Sequence, residues 1–251
     1  MAAARRRARP ALYLKPVQTG FPNDADGGLV ARLSDRMVAH LPDAGHAVHI
    51  HGPHAREAAE IGGHMAPMGP ADEAGEAAPF VCRTLFAWNA AVGPHLAVKH
   101  EGRPVADDTL VDASLEALSS RGKRLALVET AGGVASPAPS GTLQCDALLP
   151  LRLPALLVGD GALGGISSTL CASEVLSRRG IPLAGVVLID GGLQNEEALG
   201  THLHPVPVTV LPPLVRPPDS PEAGGEAAIA GWLESASAQF DGLLSQLLEQ
   251  S

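Results

Sequence analysis

Apolar residues in this chain come in short runs separated by turn-forming residues, and the runs alternate with stretches of helical spacing. Leu12–Val17 is a compact apolar run whose length suits a buried strand. Leu125–Val128, Leu153–Val158, Leu183–Ile189 and Val206–Leu211 repeat the pattern downstream. Leu85, Trp88 and Val92 fall at helical spacing, and Pro94 interrupts them. Thr109 with Asp112 has the form of a capping box, after which Val111, Leu115 and Leu118 line one helical face. Residues 29–40 are weakly helical. Residues 166–179 suit a stronger helix, with Arg178 and Arg179 in the last turn and Gly180 as the stop. Phe240, Leu243, Leu244, Leu247 and Leu248 form an amphipathic stripe that needs a surface, either its own domain's or a partner's.

Strands alternating with helices predict an α/β fold, with a mostly parallel sheet and helices on both faces. Two stretches stand outside the pattern. Residues 41–79 are rich in Gly, Ala, His and Pro and read as a variable surface insertion. Pro212–Gly225 reads as a linker. The expected organisation is an Arg-rich remnant at 1–10, one domain at 11–215, and a linker with its amphipathic helix at 216–251.

In parallel sheets, ligands gather beyond the carboxyl ends of the strands. Lys15, Thr19, Glu129 and Thr130 fall at such ends. A carboxylate at Glu129 suits Mg²⁺ held against phosphates. Gly132 and Gly133 let the backbone approach an anion closely. Asp24 and Asp26, on the loop after Lys15, offer a second metal ligand. Gly159–Gly165 opens a helix, and it is either an anion site made of free N–H groups or an ordinary glycine-rich turn.

Composition removes several alternatives. The 251 residues are enough for one large domain with a sizeable core. Aromatic residues make up 3% and the net charge is −9, which argues against nucleic acid as a partner. No apolar run approaches the length of a membrane span. Cys82, Cys145 and Cys171 lack metal or redox spacing, so reduced thiols are expected. The 10 histidines are scattered and form no HExxH motif. Arg5, Arg6, Arg7 and Arg9 precede any acid, which fits either the remnant of an organelle-targeting peptide or a misplaced start.

Several segments carry a family resemblance. They are Tyr13–Gly20 (YLKPVQTG), Cys82–Trp88 (CRTLFAW), Pro94–Ala97 (PHLA), Val128–Pro137 (VETAGGVASP), Pro139–Asp146 (PSGTLQCD) and Leu157–Ser168 (LVGDGALGGISS). The chain resembles dethiobiotin synthase over about residues 11–215. The match is especially to the synthase domain of the eukaryotic enzyme that joins it to diaminopelargonate aminotransferase. The resemblance implies a P-loop NTPase-like fold and a homodimer that closes the ureido ring of dethiobiotin from 7,8-diaminononanoate and CO₂, with ATP and Mg²⁺. It implies that Lys15 contacts the carbamate and transferring phosphate and that Thr19 hydrogen-bonds substrate. Asp26 and Glu129 then ligate Mg²⁺. Thr130, Gly132 and Gly133 lie beside the nucleotide. Gly164, Gly165, Ile166 and Ser167 receive the substrate carboxylate from the neighbouring subunit. Ile189 stands where bacterial members carry an adenine-reading Asn, which leaves Asp190 as a weak candidate, and Pro212 and Pro213 line the base. An aminotransferase, fused or separate, is the implied partner. Mitochondria are the implied compartment, with the cytoplasm as the alternative.

One element of that family pattern is missing from the sequence. The strand–GxxxxGK[ST]–helix unit needs roughly 30 residues. Gly-Lys occurs once, at Gly122-Lys123, and Arg124 follows it. Weak ATP binding and unpaired strand edges are therefore expected of these residues alone. Two readings follow: a synthase domain whose start lies upstream, or a catalytically impaired dimerising scaffold for an aminotransferase. A cobyrinate amidase-like ligase is a third, but such enzymes carry a glutamine-hydrolysing domain for which the chain has no room.

Overall fold

The computed structural model describes residues 11–22, 26, 30, 46–50, 80–119, 125–214 and 222–249. They belong to two compact units, Met1–Leu151 and Arg152–Ser251.

The first unit is built on β1 (Ala11–Gln18), buried from Leu12 to Gln18. It pairs in parallel with β3 (Phe80–Ala87) on one side and with β4 (Leu125–Val128) on the other. β2 (His46–Ile50) adds outside β3, giving the order β2-β3-β1-β4. Both faces of β1 are covered, so its sequence is a continuous apolar run rather than an alternation. Leu14, Val17, Val81, Phe86 and Trp88 form the centre of the core, with Ala97, Val105, Leu110 and Ala117 packed around them. Trp88 is fully buried, and its indole N–H donates to the Arg103 carbonyl at 3.3 Å, so its burial strands no donor.

Among the described residues, the sheet is covered by α1 (Pro94–Glu101) and α2 (Asp107–Ser119). Pro94 does not interrupt a helix but starts one, at a position where its missing N–H costs nothing. The helical spacing of Leu85, Trp88 and Val92 is likewise overturned, because Leu85 lies in β3 and Trp88 just beyond it. β3 is buried on both faces and shows no alternation, which left the accidental spacing as the visible signal. Thr109 lies inside the first turn of α2, not at its cap. Asp107 and Asp108 fill the start, where carboxylates favour the helix dipole. The buried face of α2 is Leu110, Val111, Ser114 and Ala117, while Leu115 is exposed. The stretch 41–79, expected as an insertion, contributes β2. The weak helix expected at 29–40 lies outside the described residues apart from Val30. A short helix, α3 (Gln144–Ala147), runs into a 3₁₀ turn at Leu149–Leu151.

The second unit holds β5 (Ala155–Val158), β6 (Leu183–Ile189) and β7 (Val208–Leu211), all parallel. α4 (Gly165–Ser177) follows β5, and Gly180 takes a left-handed φ of 67° just beyond its end, as expected. α5 (Asn195–Leu203) follows β6. α6 (Glu222–Ser235) begins inside the stretch read as linker, and α7 (Ser237–Glu249) completes the chain of elements. The apolar stripe of α7 is spent on its own unit. Leu243 is buried with Val187, Leu211 and Ala236, and Phe240 and Leu247 pack against them. Trp232 meets Phe240 edge-to-face at 5.9 Å.

Candidate active site

Lys15 is the charged residue that the fold buries most deliberately. It lies near the carboxyl end of β1 and is 4% exposed. Such a cation survives burial only when it is paired. Its Nζ lies 2.5 Å from Glu129 Oε1 and 2.7 Å from Asp26 Oδ2, and it reaches the Thr130 carbonyl at 3.4 Å. The strand register explains the meeting. Leu14 pairs with Val128, and the Glu129 amide donates to the Leu14 carbonyl at 2.9 Å, so Glu129 leaves β4 alongside Lys15. Both carboxylates are about half exposed, so the cluster opens outward from a buried lysine.

Neutral polar residues set this cluster in place, and the sequence did not single them out. Tyr13 donates its hydroxyl to Glu129 Oε2 at 2.5 Å. Burial, then the hydrogen bond to Glu129 and the negative charges of Glu129 and Asp26, push the Tyr13 phenol far above its ordinary pKa. It therefore stays a donor. Gln18 is buried, accepts from the Asp26 amide at 3.2 Å through Oε1, and donates through Nε2 to the Thr19 carbonyl at 2.7 Å. Gly20 donates to the Ala90 carbonyl, while the Ala90 amide is held by Glu101, itself paired with Arg103. Thr19 thus sits in a turn that is fastened on both sides.

The glycine loop after β4 follows the same logic. Thr130 Oγ1 donates to the Gly132 carbonyl at 2.8 Å, folding the loop back on itself. Gly132 has φ 102°, a conformation open to glycine and costly for other residues. Gly133 accepts from the Ser136 amide at 2.9 Å. Buried Gln144, at the start of α3, donates to the Ala131 carbonyl at 3.2 Å and its amide donates to the Ser136 carbonyl. The VETAGG and PSGTLQCD strings are therefore two halves of one pinned loop.

In the second unit, Gly164 caps α4 with φ 90°, Gly165 is buried, Ile166 is half-buried and Ser167 is exposed. A Cβ on Gly165 would lie 2.0 Å from the Asp160 carbonyl oxygen, so nothing larger than glycine fits. Buried Asn195 spans this turn from α5, donating to the carbonyls of Asp160 at 3.0 Å and Ala162 at 2.9 Å. Asp190 is exposed beyond β6 and accepts from the Gly192 amide at 2.7 Å, which closes its own turn. Pro212 accepts the Trp232 indole N–H at 2.7 Å, so one face of this half-buried proline serves α6, while Pro213 is exposed.

The structure thus brings Lys15, Asp26, Glu129 and Thr130 together, with Thr19, Gly132 and Gly133 on the loops that follow the same strands. Gly164, Gly165, Ile166, Ser167, Asp190, Pro212 and Pro213 belong to the second unit. Among the described residues no group of three or more His, Cys, Asp or Glu gathers as a metal cluster, so a cation in the first unit would rest on Asp26 and Glu129. No helix among them is long and apolar enough to cross a membrane.

A family model described as an AAA domain matches residues 75–215. The chain is 44% identical over 229 residues to the mitochondrial bifunctional dethiobiotin synthetase/7,8-diamino-pelargonic acid aminotransferase of Arabidopsis thaliana, covering 82% of this chain and 27% of that protein. It is 41% identical over 255 residues to the protein of the same name from Oryza sativa subsp. japonica, covering 94% of this chain and 29% of that protein. The chain therefore spans less than a third of these bifunctional relatives. It is 32% identical over 161 residues to the ATP-dependent dethiobiotin synthetase BioD of Anaeromyxobacter dehalogenans (strain 2CP-C), covering 64% of this chain and 70% of the relative. By its family model and its relatives, the chain belongs to the dethiobiotin synthetase family.

Proposed function

We propose that this chain catalyses the ATP- and Mg²⁺-dependent ring closure of 7,8-diaminononanoate to dethiobiotin. CO₂ joins one amine of the diamine as a carbamate. Phosphorylation of a carbamate oxygen gives a mixed anhydride, and the second amine attacks its carbon, expelling phosphate and closing the ureido ring. ATP supplies the phosphoryl group, and Mg²⁺ spreads the charge of the oxygens around it.

The observation that carries this reading is the buried Lys15 ammonium bridging Asp26 and Glu129 at 2.7 and 2.5 Å. Two hard carboxylates from separate segments converge on one point that already holds a cation, and that donor set suits Mg²⁺. With the carboxylates engaged by a divalent ion, Lys15 is available to the carbamate. There a compact ammonium stabilises negative charge as it develops. Thr19 hydrogen-bonds the diamine. The pinned loop at Thr130, Gly132 and Gly133 is assigned to the nucleotide. Gly164–Ser167, at the start of α4, receives the substrate carboxylate, within a homodimer on the family pattern. The sequence holds no GxxxxGK[ST], so these residues offer no phosphate cradle of that kind. The diamine points to an aminotransferase as the supplier of substrate, and the names of the plant relatives favour a mitochondrial setting.

The test is incubation of the chain with 7,8-diaminononanoate, ¹³C-bicarbonate, ATP and Mg²⁺. The expected product is dethiobiotin carrying ¹³C at the ureido carbon by mass spectrometry. Its rate of formation should fall about 10²–10³-fold with Lys15→Met. No labelled ring at saturating ATP would overturn the assignment.

A further inference from the structure

The proposed reaction leaves the buried Tyr13 hydroxyl without a task. Tyr13 precedes Lys15 by two positions in β1, so both side chains leave the same face of the strand. They meet the same carboxylate from that face. Tyr13 takes Glu129 Oε2 and Lys15 takes Oε1. The two donors differ in kind. Lys15 is a charge shared with Asp26 on the open side of the cluster. Tyr13 is neutral, 3% exposed, and rooted in a small apolar cluster with Cys82 and Val30. A carboxylate with one oxygen fixed by the core presents the other in a defined direction. Glu129 is about half exposed at the end of a short strand and has no such restraint from its own backbone.

We infer that Tyr13 is a positioning residue for Glu129, holding Oε2 so that Oε1 faces the cation, whether that cation is the Lys15 ammonium or a divalent metal. The inference rests on the assignment of Glu129 as a metal ligand. Partners that orient a ligating side chain typically change metal affinity by about 10- to 100-fold when removed. Tyr13→Phe removes the hydroxyl and keeps the ring.

The experiment uses Mn²⁺ alone as probe, with free Mn²⁺ measured by electron paramagnetic resonance during titration of the full chain. Tyr13→Phe is expected to weaken Mn²⁺ binding about tenfold, measured at a temperature at which the variant is fully folded. Glu129→Gln is expected to weaken it at least as much. Adding Tyr13→Phe to Glu129→Gln should then cost nothing further, because the hydroxyl acts through the carboxylate. A purely structural tyrosine would lower affinity equally in both backgrounds, and that result overturns the inference. So does wild-type Mn²⁺ affinity in Tyr13→Phe when Glu129→Gln is impaired. Equal affinity in Glu129→Gln and the wild type would instead remove Glu129 from the metal site and take this inference with it. Tyr13→Met, which deletes the same hydroxyl on a flexible apolar side chain, serves if the phenylalanine variant misfolds, and the same outcomes decide.

Discussion

The loop cluster of the first unit and the glycine turn of the second are both proposed as ligand sites, but they are built by opposite means. Around Lys15 the work is done by side-chain charge: one buried ammonium and two half-exposed carboxylates within 2.7 Å of it. At Gly159–Gly165 it is done by backbone, with small residues that let a helix start close against the preceding strand. The difference teaches where each is vulnerable. A charged cluster tolerates changes of shape and fails when a charge is removed. A backbone turn tolerates changes of charge and fails when an atom is added.

The sharpest way to break the first half of that contrast is Lys15→Met. It keeps most of the side-chain volume and deletes the charge. Removing one group that stabilises a developing anion typically costs 10²–10³ in rate, about 2.7–4 kcal/mol. The expected outcome is a loss of kcat of that order, measured by phosphate release. An unchanged kcat would mean that Lys15 serves only to neutralise Asp26 and Glu129.

The second half breaks most sharply at Gly165→Ala. The added methyl would lie 2.0 Å from the Asp160 oxygen, and backbone cannot yield as a flexible side chain would. Overpacking of this kind costs about 1–3 kcal/mol. The loss should appear as a lower denaturation midpoint, with substrate affinity falling at the same time. Asn195→Ala sharpens the same comparison more gently. It removes both amide donations to Asp160 and Ala162, but these residues are exposed and water can replace the donor. The expected cost is about 1 kcal/mol, together with a higher KM for the diamine at unchanged kcat. Unfolding by urea and steady-state kinetics separate the two readouts.

How much of this was legible in the sequence follows the same division. Lys15, Glu129 and the glycines could be read because they punctuate apolar runs, where strand ends and turns are visible. β1, β4 and β6 were found for that reason, with boundaries off by a residue at most. β3 was not, because Arg83 and Thr84 break its apolar run while Leu85, Trp88 and Val92 happen to fall at helical spacing. The capping box at Thr109 was a correct composition in the wrong register, since Asp107 already opens α2. The residues that hold the site together were missed as a class. Gln18, Gln144 and Asn195 are neutral, and their partners are backbone groups that no spacing in the sequence marks. Tyr13 lies inside an apolar run where it reads as core. One signal was available for it: in a strand, a residue two positions from a functional lysine shares its face.

Tyr13 also gives the smallest and most specific prediction. The chain contains a single tyrosine, so phenolate absorbance reports on Tyr13 alone. Burial and the neighbouring carboxylates raise its pKa in the folded state above its ordinary value. The stability this provides is fully present below the unfolded-state pKa of about 10 and is lost as pH rises above it, because the unfolded chain can release a proton that the folded chain keeps. Relative to Tyr13→Phe, the wild type should lose about 0.4 kcal/mol at pH 10, with the slope approaching about 1.4 kcal/mol per pH unit beyond it. Denaturation curves between pH 8 and pH 10.5, each compared with that variant, isolate this one group from the lysines that titrate in the same range. Phenolate should appear together with unfolding and not before it. Phenolate appearing in the folded protein near pH 10 would mean that the hydroxyl is reachable by solvent and that its hold on Glu129 is weak.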